Sequence, residues 1–322
     1  MAHAPFAFLF PGQGSQTVGM GKELAEQYSI ARETFAEADS ALGYELSKLS
    51  FEGPEDKLKL TEITQPAILT VSVAAQRILA QRGVLPAYVA GHSLGEYSAH
   101  VAAGTLSFAD AVRTVAKRGK YMQEAVPVGV GAMAAVLALG LEPLEEVCRQ
   151  AQRETGGTVS AANINSPDQI VISGNKVAVE RAAELAKEKG AKRAIMLPVS
   201  APFHCALMQP AQNRLAEDLR WIAFSKPRMP VVTNVDAKLI SQAEQARDAL
   251  IRQVTGAVQW VRSMQELIVA GAQTFIEVGP GKVLTGLLRQ IDRSKTGLNV
   301  ENEESLQKAL AGVNTKVTKE KD

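Results

Sequence analysis

The chain has 322 residues, 46% of them apolar, 21% charged and only 5% aromatic, enough to bury a sizeable core and, at about 150 residues per domain, to predict two structural units. A balance of 35 basic against 34 acidic residues, net +1, excludes a globally basic nucleic-acid binder, and the apolar runs fall far short of the ~20 residues of a membrane helix. Cys148 and Cys205 are the only cysteines and no secretory pattern opens the chain, so a reducing, cytosolic setting is expected, without a metal site built on cysteine pairs.

Phe6-Ala7-Phe8-Leu9-Phe10, halted by Pro11-Gly12, reads as a central strand covered on both faces. Helical patterning follows from about Gly21 to Ala41. A second helix is expected to begin near Thr64, with Pro66 in its first turn, and to stop at Gly83. Ala87–Ala90 is a short strand, Gly91 to Gly95 a turn, and a helix runs on to about Ala103. Ser107, with Asp110 three residues on, marks the start of the next helix.

From Gly131 the pattern becomes strand Ala132–Leu139, helix Glu142–Glu154, strands Thr158–Ile164 and Gln169–Ser173, helix Val177–Lys189 and strand Arg193–Leu197. That βαββαβ order is ferredoxin-like and predicts a subdomain at 129–198 nested in an α/β core made of 1–128 and 199–322. Beyond it come helix Leu207–Trp221, strand Val231–Thr233, helices Ala243–Val254 and Trp260–Ala270, strand Thr274–Val278 and helix Gly281–Ile291. Alternating strands and helices predict a mostly parallel sheet with helices on both faces. The last ~20 residues, polar but for Leu306 and Leu310, are expected to fray at least in part.

Gly91-His92-Ser93-Leu94-Gly95 matches G-x-S-x-G. Alone the match is weak, since about one chain in ten of this length would carry it by chance. Its place between an apolar strand and a helix is that of a strand–turn–helix elbow, which exposes a nucleophilic serine at a helix N-terminus. The N–H of Leu94 would then face the oxyanion formed when Ser93 attacks a carbonyl. The alternative is a turn serine that merely caps a helix.

A nucleophilic serine needs a base, and the chain has four histidines. His92 adjoins Ser93 in a sharp turn, His3 lies in the leader, and His100 is expected on the polar part of the elbow helix. His204 remains, where the chain leaves a strand for a loop in Ser200-Ala201-Pro202-Phe203-His204-Cys205, as site residues of parallel sheets often do. Cys205 lacks an elbow and reads as packing. No carboxylate stands at a strand end to complete a triad, and Asp110 is better explained as a cap, so either a non-acidic group orients His204 or the pair acts as a dyad.

Arg118 falls on the apolar stripe Ala111, Val115, Met122 of its helix, while Arg113, Lys117, Lys120 and Glu124 fall on the polar side. A buried arginine must find an anion: either a structural carboxylate or, beside a nucleophile, a carboxylate on the substrate. Gly12-Gln13-Gly14 lacks the third glycine of a dinucleotide fingerprint, and Met20 stands where a P-loop lysine belongs. The Pro11–Gly14 turn can instead bring backbone N–H groups to the catalytic centre. Gly279-Pro280-Gly281-Lys282 is a strand-to-helix turn with no P-loop.

Phe10-Pro11-Gly12-Gln13-Gly14-Ser15-Gln16, Gly91-His92-Ser93-Leu94-Gly95-Glu96, Pro202-Phe203-His204 and Glu277-Val278-Gly279-Pro280-Gly281 together resemble the malonyl-CoA:acyl-carrier-protein transacylases of bacterial-type fatty acid synthesis, over roughly residues 4 to 292. The resemblance implies an α/β-hydrolase-like core with an inserted ferredoxin-like subdomain. It implies Ser93 as the nucleophile that takes malonyl from coenzyme A, and His204 as the base for Ser93 and later for the phosphopantetheine thiol. Gln13 and Leu94 would supply the oxyanion hole, Arg118 would grip the malonyl carboxylate, and the backbone carbonyl of Gln253 would orient His204. Cys205 departs from the serine often found there. No metal or redox cofactor is implied; malonyl-CoA and an acidic acyl carrier protein are the expected partners, with nucleic acid and membrane excluded. A basic patch should flank the entrance, with Lys187, Lys189, Lys192 and Arg193 as candidates. Phe203 favours unbranched malonyl over methylmalonyl, and the length suits a stand-alone enzyme. The rivals are a serine esterase or thioesterase, a transacylase for another acyl group, and a non-catalytic carrier-binding module.

Overall fold

The structure, a computed structural model, describes residues 5–199 and 201–319. His3 and Ser200 lie outside the described residues. Among the described residues ten strands form two sheets: β1 (Phe6–Phe10), β2 (Tyr88–Gly91), β7 (Val231–Val232), β8 (Leu239–Ile240), β9 (Thr274–Val278) and β10 (Thr296–Val300) in one, and β3 (Gly131–Leu137), β4 (Val159–Ser166), β5 (Gln169–Asn175) and β6 (Arg193–Met196) in the other. The first has the order β10-β9-β1-β2-β7-β8 and is parallel except for β8. The fold is thus the expected mixed α/β class with a mostly parallel main sheet.

β1 shows why its sequence is apolar throughout. Phe8 and Phe10 point into the cluster that holds Ile68 and Val115 of the long helices, while Ala7 and Leu9 point to the opposite cluster around Trp260, Met264 and Leu287. Successive side chains of a strand face opposite ways, so a strand sandwiched between two helix layers can carry no polar face.

The second sheet is antiparallel in the order β4-β5-β3-β6 and is made by consecutive elements. The helices Leu141–Thr155 and Lys176–Glu188 cover one face, packing on Ala132, Ala134 and Val136 of β3. The intervening Met133 and Ala135 face the other way, with Leu197, Val199 and Phe203. This second face roofs the functional site.

Several expectations are corrected. The helix expected to begin near Thr64 runs Thr61–Gln81, so Pro66 lies inside it rather than in its first turn. Gly119 explains the earlier start: a Cβ there would stand 2.5 Å from the Thr61 carbonyl oxygen, so a bare glycine lets that turn dock on the Phe108–Glu124 helix. The Gly21–Ala41 stretch divides at Tyr28 into Lys22–Gln27 and Ser29–Leu42, where Tyr28 is extended. β8 and β10 were not foreseen. β10 is mostly half-buried and carries Gly297 and Asn299, residues of poor strand propensity, and its pairing with β9 is what holds it extended. Of the last ~20 residues, expected to fray at least in part, Glu303–Lys319 are helical, seated by Leu306 and Ala309; those after Lys319 lie outside the described residues. His100 is buried, not polar-facing, because the Gly95–Ala102 helix runs through the core.

Candidate active site

Ser93 follows β2 and precedes the Gly95–Ala102 helix, with φ of 52°. L-residues seldom adopt that region, and the strain costs of order 1–3 kcal/mol. The turn closes so tightly that a Cβ at Gly91 would run into the carbonyl of Gly95, and one at Gly95 into that of Phe10. The two motif glycines are therefore steric requirements of the elbow. Asn234 clamps it: its Oδ1 accepts from the Ser93 N–H at 2.7 Å and its Nδ2 donates to the Gly91 carbonyl at 2.6 Å.

The structure brings His204 to Ser93, although 111 residues separate them: Nε2 lies 2.7 Å from Ser93 Oγ. On the other side Nδ1 is 2.9 Å from the Gln253 carbonyl oxygen and 3.1 Å from that of Gly256. Carbonyls only accept, so the proton sits on Nδ1 and the bare Nε2 faces the serine hydroxyl. Burial, reinforced by the Arg118 charge, pushes the His204 pKa down to about 3, so the imidazole is neutral and free to take a proton. Among the described residues no carboxylate hydrogen-bonds it; two backbone carbonyls do. His92, as expected, turns away from Ser93: its Nε2 lies 2.8 Å from Asn165 Oδ1 and its ring packs on Trp260.

Arg118 is 1% exposed. Nη1 donates to Gln65 Oε1 at 2.7 Å, and Nη2 to Gln253 Oε1 at 2.9 Å and to Ser93 Oγ at 3.1 Å. Among the described residues no carboxylate comes within salt-bridge distance, 4.0 Å, of its guanidinium. Burial pulls its pKa below the usual range, opposed by Tyr97 and Glu96. The structural-carboxylate alternative is therefore not met, and the cation faces the cavity with only neutral partners.

Gln13 and Leu94 flank the serine. A Cβ at Gly12 would lie 2.6 Å from the His92 carbonyl oxygen, so glycine lets the Gln13 turn rest on the elbow. That turn is pinned by Ser15 Oγ donating to the Gly12 carbonyl and by Gln16 Oε1 accepting from Gly14 N. Among the described residues the N–H groups of Gln13 and Leu94 find no backbone acceptor, and Leu94 opens the Gly95–Ala102 helix, where the macrodipole favours an anion. Gly279, at φ 132°, backs the turn from behind: a Cβ there would meet Ser72 Oγ and stand 2.9 Å from Pro11 Cγ.

Sequence reasoning missed the polar layer under the site. Gln253 contributes its side chain as well as its carbonyl: Nε2 donates to Glu96 Oε2 at 2.7 Å and to the Ser93 carbonyl at 2.9 Å. Glu96 also accepts from the Asn234 N–H, and burial raises its pKa to about 7. Gln65, Glu96 and Asn234 could have been suspected only as polar residues within apolar surroundings.

Above that layer, Gln13, Ser93, Leu94, Arg118 and His204 line a cavity of about 430 Å³ between the main sheet and the roof, to which Met133, Asn163 and Phe203 contribute. Cys205 is buried against the Pro202 carbonyl, and burial raises its pKa, so it is no nucleophile. Lys187, Lys189, Lys192 and Arg193 are not among the residues that line this cavity. Among the described residues no group of three or more His, Cys, Asp or Glu could hold a metal ion, and no helix is long and apolar enough to cross a membrane.

A family described as "acyl transferase domain" matches residues 7–318. The malonyl CoA-acyl carrier protein transacylase of Escherichia coli K12 is 52% identical over 306 residues, 95% of this chain and 98% of the relative. A solved acyl carrier protein S-malonyltransferase from Vibrio cholerae superposes with a TM-score of 0.93 at 48% identity, covering 95% of this chain and 99% of that one. A solved complex of a type II PKS acyl-carrier protein with its malonyl-transacylase superposes with a TM-score of 0.93 at 47% identity, covering 96% and 99%.

Proposed function

The chain belongs to the acyl transferase domain family, and we propose that it moves a malonyl group from coenzyme A to the phosphopantetheine thiol of an acyl carrier protein in fatty acid synthesis. The names of its relatives support the substrate and the carrier. The observation that carries the acyl group's identity is Arg118, a buried cation 3.1 Å from Ser93 Oγ whose partners are all neutral. A charge so placed is costly unless an anion arrives, and a malonyl group brings its carboxylate to that point.

The chemistry is an exchange in two halves. Ser93 Oγ attacks the thioester carbonyl while its proton passes to His204 Nε2. The N–H groups of Gln13 and Leu94 receive the oxyanion. The C–S bond then breaks, His204 returns the proton to the departing coenzyme A sulfur, and malonyl-Ser93 remains. The carrier thiol gives its proton to His204, attacks the ester, and leaves as the malonyl thioester while Ser93 recovers its proton. Every proton is accounted for by one imidazole, so no metal or redox cofactor is needed. We place the reaction in the cytoplasm, without nucleic acid or membrane, and assign 129–198 as the unit that roofs the site.

The thioesterase alternative called for a triad acid; His204 rests on two carbonyls instead. Intact-protein mass after brief incubation with malonyl-CoA, then with phosphopantetheinylated carrier, tests the proposal. A malonyl adduct that moves onto the carrier is expected; free malonate without carrier product would overturn it.

A further inference from the structure

The side-chain amide of Gln253 is fully buried and stands between two ionisable groups. Its Oε1 accepts from Arg118 Nη2 at 2.9 Å and its Nε2 donates to Glu96 Oε2 at 2.7 Å. The orientation is forced from both ends, because a guanidinium only donates and the Ser93 carbonyl, 2.9 Å from the same Nε2, only accepts. Each hydrogen bond therefore fixes the other. Glu96 is held in turn by the Asn234 N–H at 3.0 Å, so the chain of contacts ends on the backbone of the core.

The amide also separates charges. A carboxylate placed directly on Arg118 would pair with it and compete with the carboxylate of an incoming acyl group. With Gln253 between them, Glu96 makes no direct hydrogen bond to the guanidinium and is linked to it through two successive ones. Arg118 is aligned from behind while its cavity face stays cationic.

We propose that the side-chain amide of Gln253 is a positioning residue for acyl-group selection: it bridges Arg118 to Glu96 and holds the guanidinium where the acyl carboxylate docks. This task is distinct from that of its backbone carbonyl, which holds His204 and survives any side-chain substitution. The proposal rests on Arg118 as the carboxylate grip.

The test compares Gln253→Met, which keeps the volume, Gln253→Asn, which keeps an amide too short to bridge, and Arg118→Ala. The rate of acyl-enzyme formation is measured with malonyl-CoA and with acetyl-CoA, with melting temperature as the check on folding. Hydrogen bonds to charged groups imply a loss of about ten- to a hundredfold. For both Gln253 variants we expect malonyl kcat/KM to fall, chiefly through KM, by that factor beyond whatever acetyl kcat/KM loses. Unchanged malonyl preference in either folded Gln253 variant would overturn the proposal, as would equal losses with both donors, which would mark a displaced His204. If Arg118→Ala itself keeps the malonyl preference, the grip fails; if only Arg118→Ala loses it, the grip stands and the role of Gln253 falls.

Discussion

Arg118 Nη2 donates to the hydroxyl of Ser93 over 3.1 Å. The cation and the nucleophile are thus in contact before any substrate arrives, and the carboxylate that Arg118 would receive must sit within a few bonds of the carbon that Ser93 attacks. A short dicarboxylic acyl group meets that requirement. Its uncharged analogue leaves a buried cation with neutral partners only.

For Arg118→Ala, malonyl loading should fall far more than acetyl loading. Losing one partner of a buried charge pair costs about 2–5 kcal/mol, or roughly thirtyfold to several thousandfold in kcat/KM. Rapid-quench mass measurements with both donors check this, and equal losses would make Arg118 structural.

His204→Ala should slow acylation about a hundredfold to ten-thousandfold. In the parent, burial holds the imidazole neutral down to about pH 3, so kcat/KM for loading should show no inflection at the ordinary histidine pKa near 6.5. A pH profile of kcat/KM between pH 5 and 8, for the parent and for Glu96→Gln, decides it: a titration centred near 6.5 that persists once Glu96, raised to about 7, is gone would contradict the neutral, buried base.

The pH dependence of stability follows from the same burial. His100 and His204 are both depressed to about 3. Their contribution is complete above pH 6.5 and is lost as pH falls from there toward 3, because the unfolded chain binds protons first, by up to about 1.36 kcal/mol per pH unit for each group. Glu96, raised to about 7, has the opposite sign: its contribution is present below the unfolded value near 4.5 and is lost as pH rises to about 7. The variant His100→Leu should therefore lose less melting temperature between pH 7 and pH 5 than the parent; an equal or steeper loss counts against a neutral buried His100.

Ser93→Ala and Ser93→Gly should both form no acyl-enzyme, but they should differ in stability. The φ of 52° persists in the alanine variant, whereas glycine relieves strain of about 1–2 kcal/mol. Differential scanning calorimetry should find Ser93→Gly melting higher than Ser93→Ala. A malonyl adduct on either variant would displace Ser93 as the nucleophile.

Gly279→Ala should impair the reaction without touching substrate. Its new Cβ would meet Ser72 Oγ and Pro11 Cγ at a φ of 132°, pushing the turn that presents the Gln13 N–H. Loss of an oxyanion donor costs about a hundred- to a thousandfold in kcat, so a fall in kcat toward that range with little change in KM is expected in steady-state transfer assays. A change confined to KM would place the effect elsewhere.

Much of this was legible along the chain because it is local. The elbow is a steric consequence of adjacent residues: Gly91 and Gly95 must lack Cβ atoms for Ser93 to project. The apolar run of β1 implied cover on both faces, and Arg118 on an apolar stripe implied a buried charge. What stayed hidden depends on contacts between distant segments. Nothing in Thr296–Val300 marks a strand until β9 pairs with it, and nothing before Pro66 shows that a turn of helix docks on Gly119.

By itself the sequence pointed to the turn that presents Ser93, to His204 as its partner, to an antiparallel βαββαβ stretch within a parallel α/β pattern and to the burial of Arg118, since short-range sterics and periodicity encode these features. Only the tertiary structure decided what those groups meet. It set the carbonyls of Gln253 and Gly256 where a triad acid would stand and placed the amide of Gln253 between Arg118 and Glu96. Hydrogen-bond partners in a buried site are chosen by the packing of elements far apart in the chain, and backbone carbonyls leave no mark in residue identity.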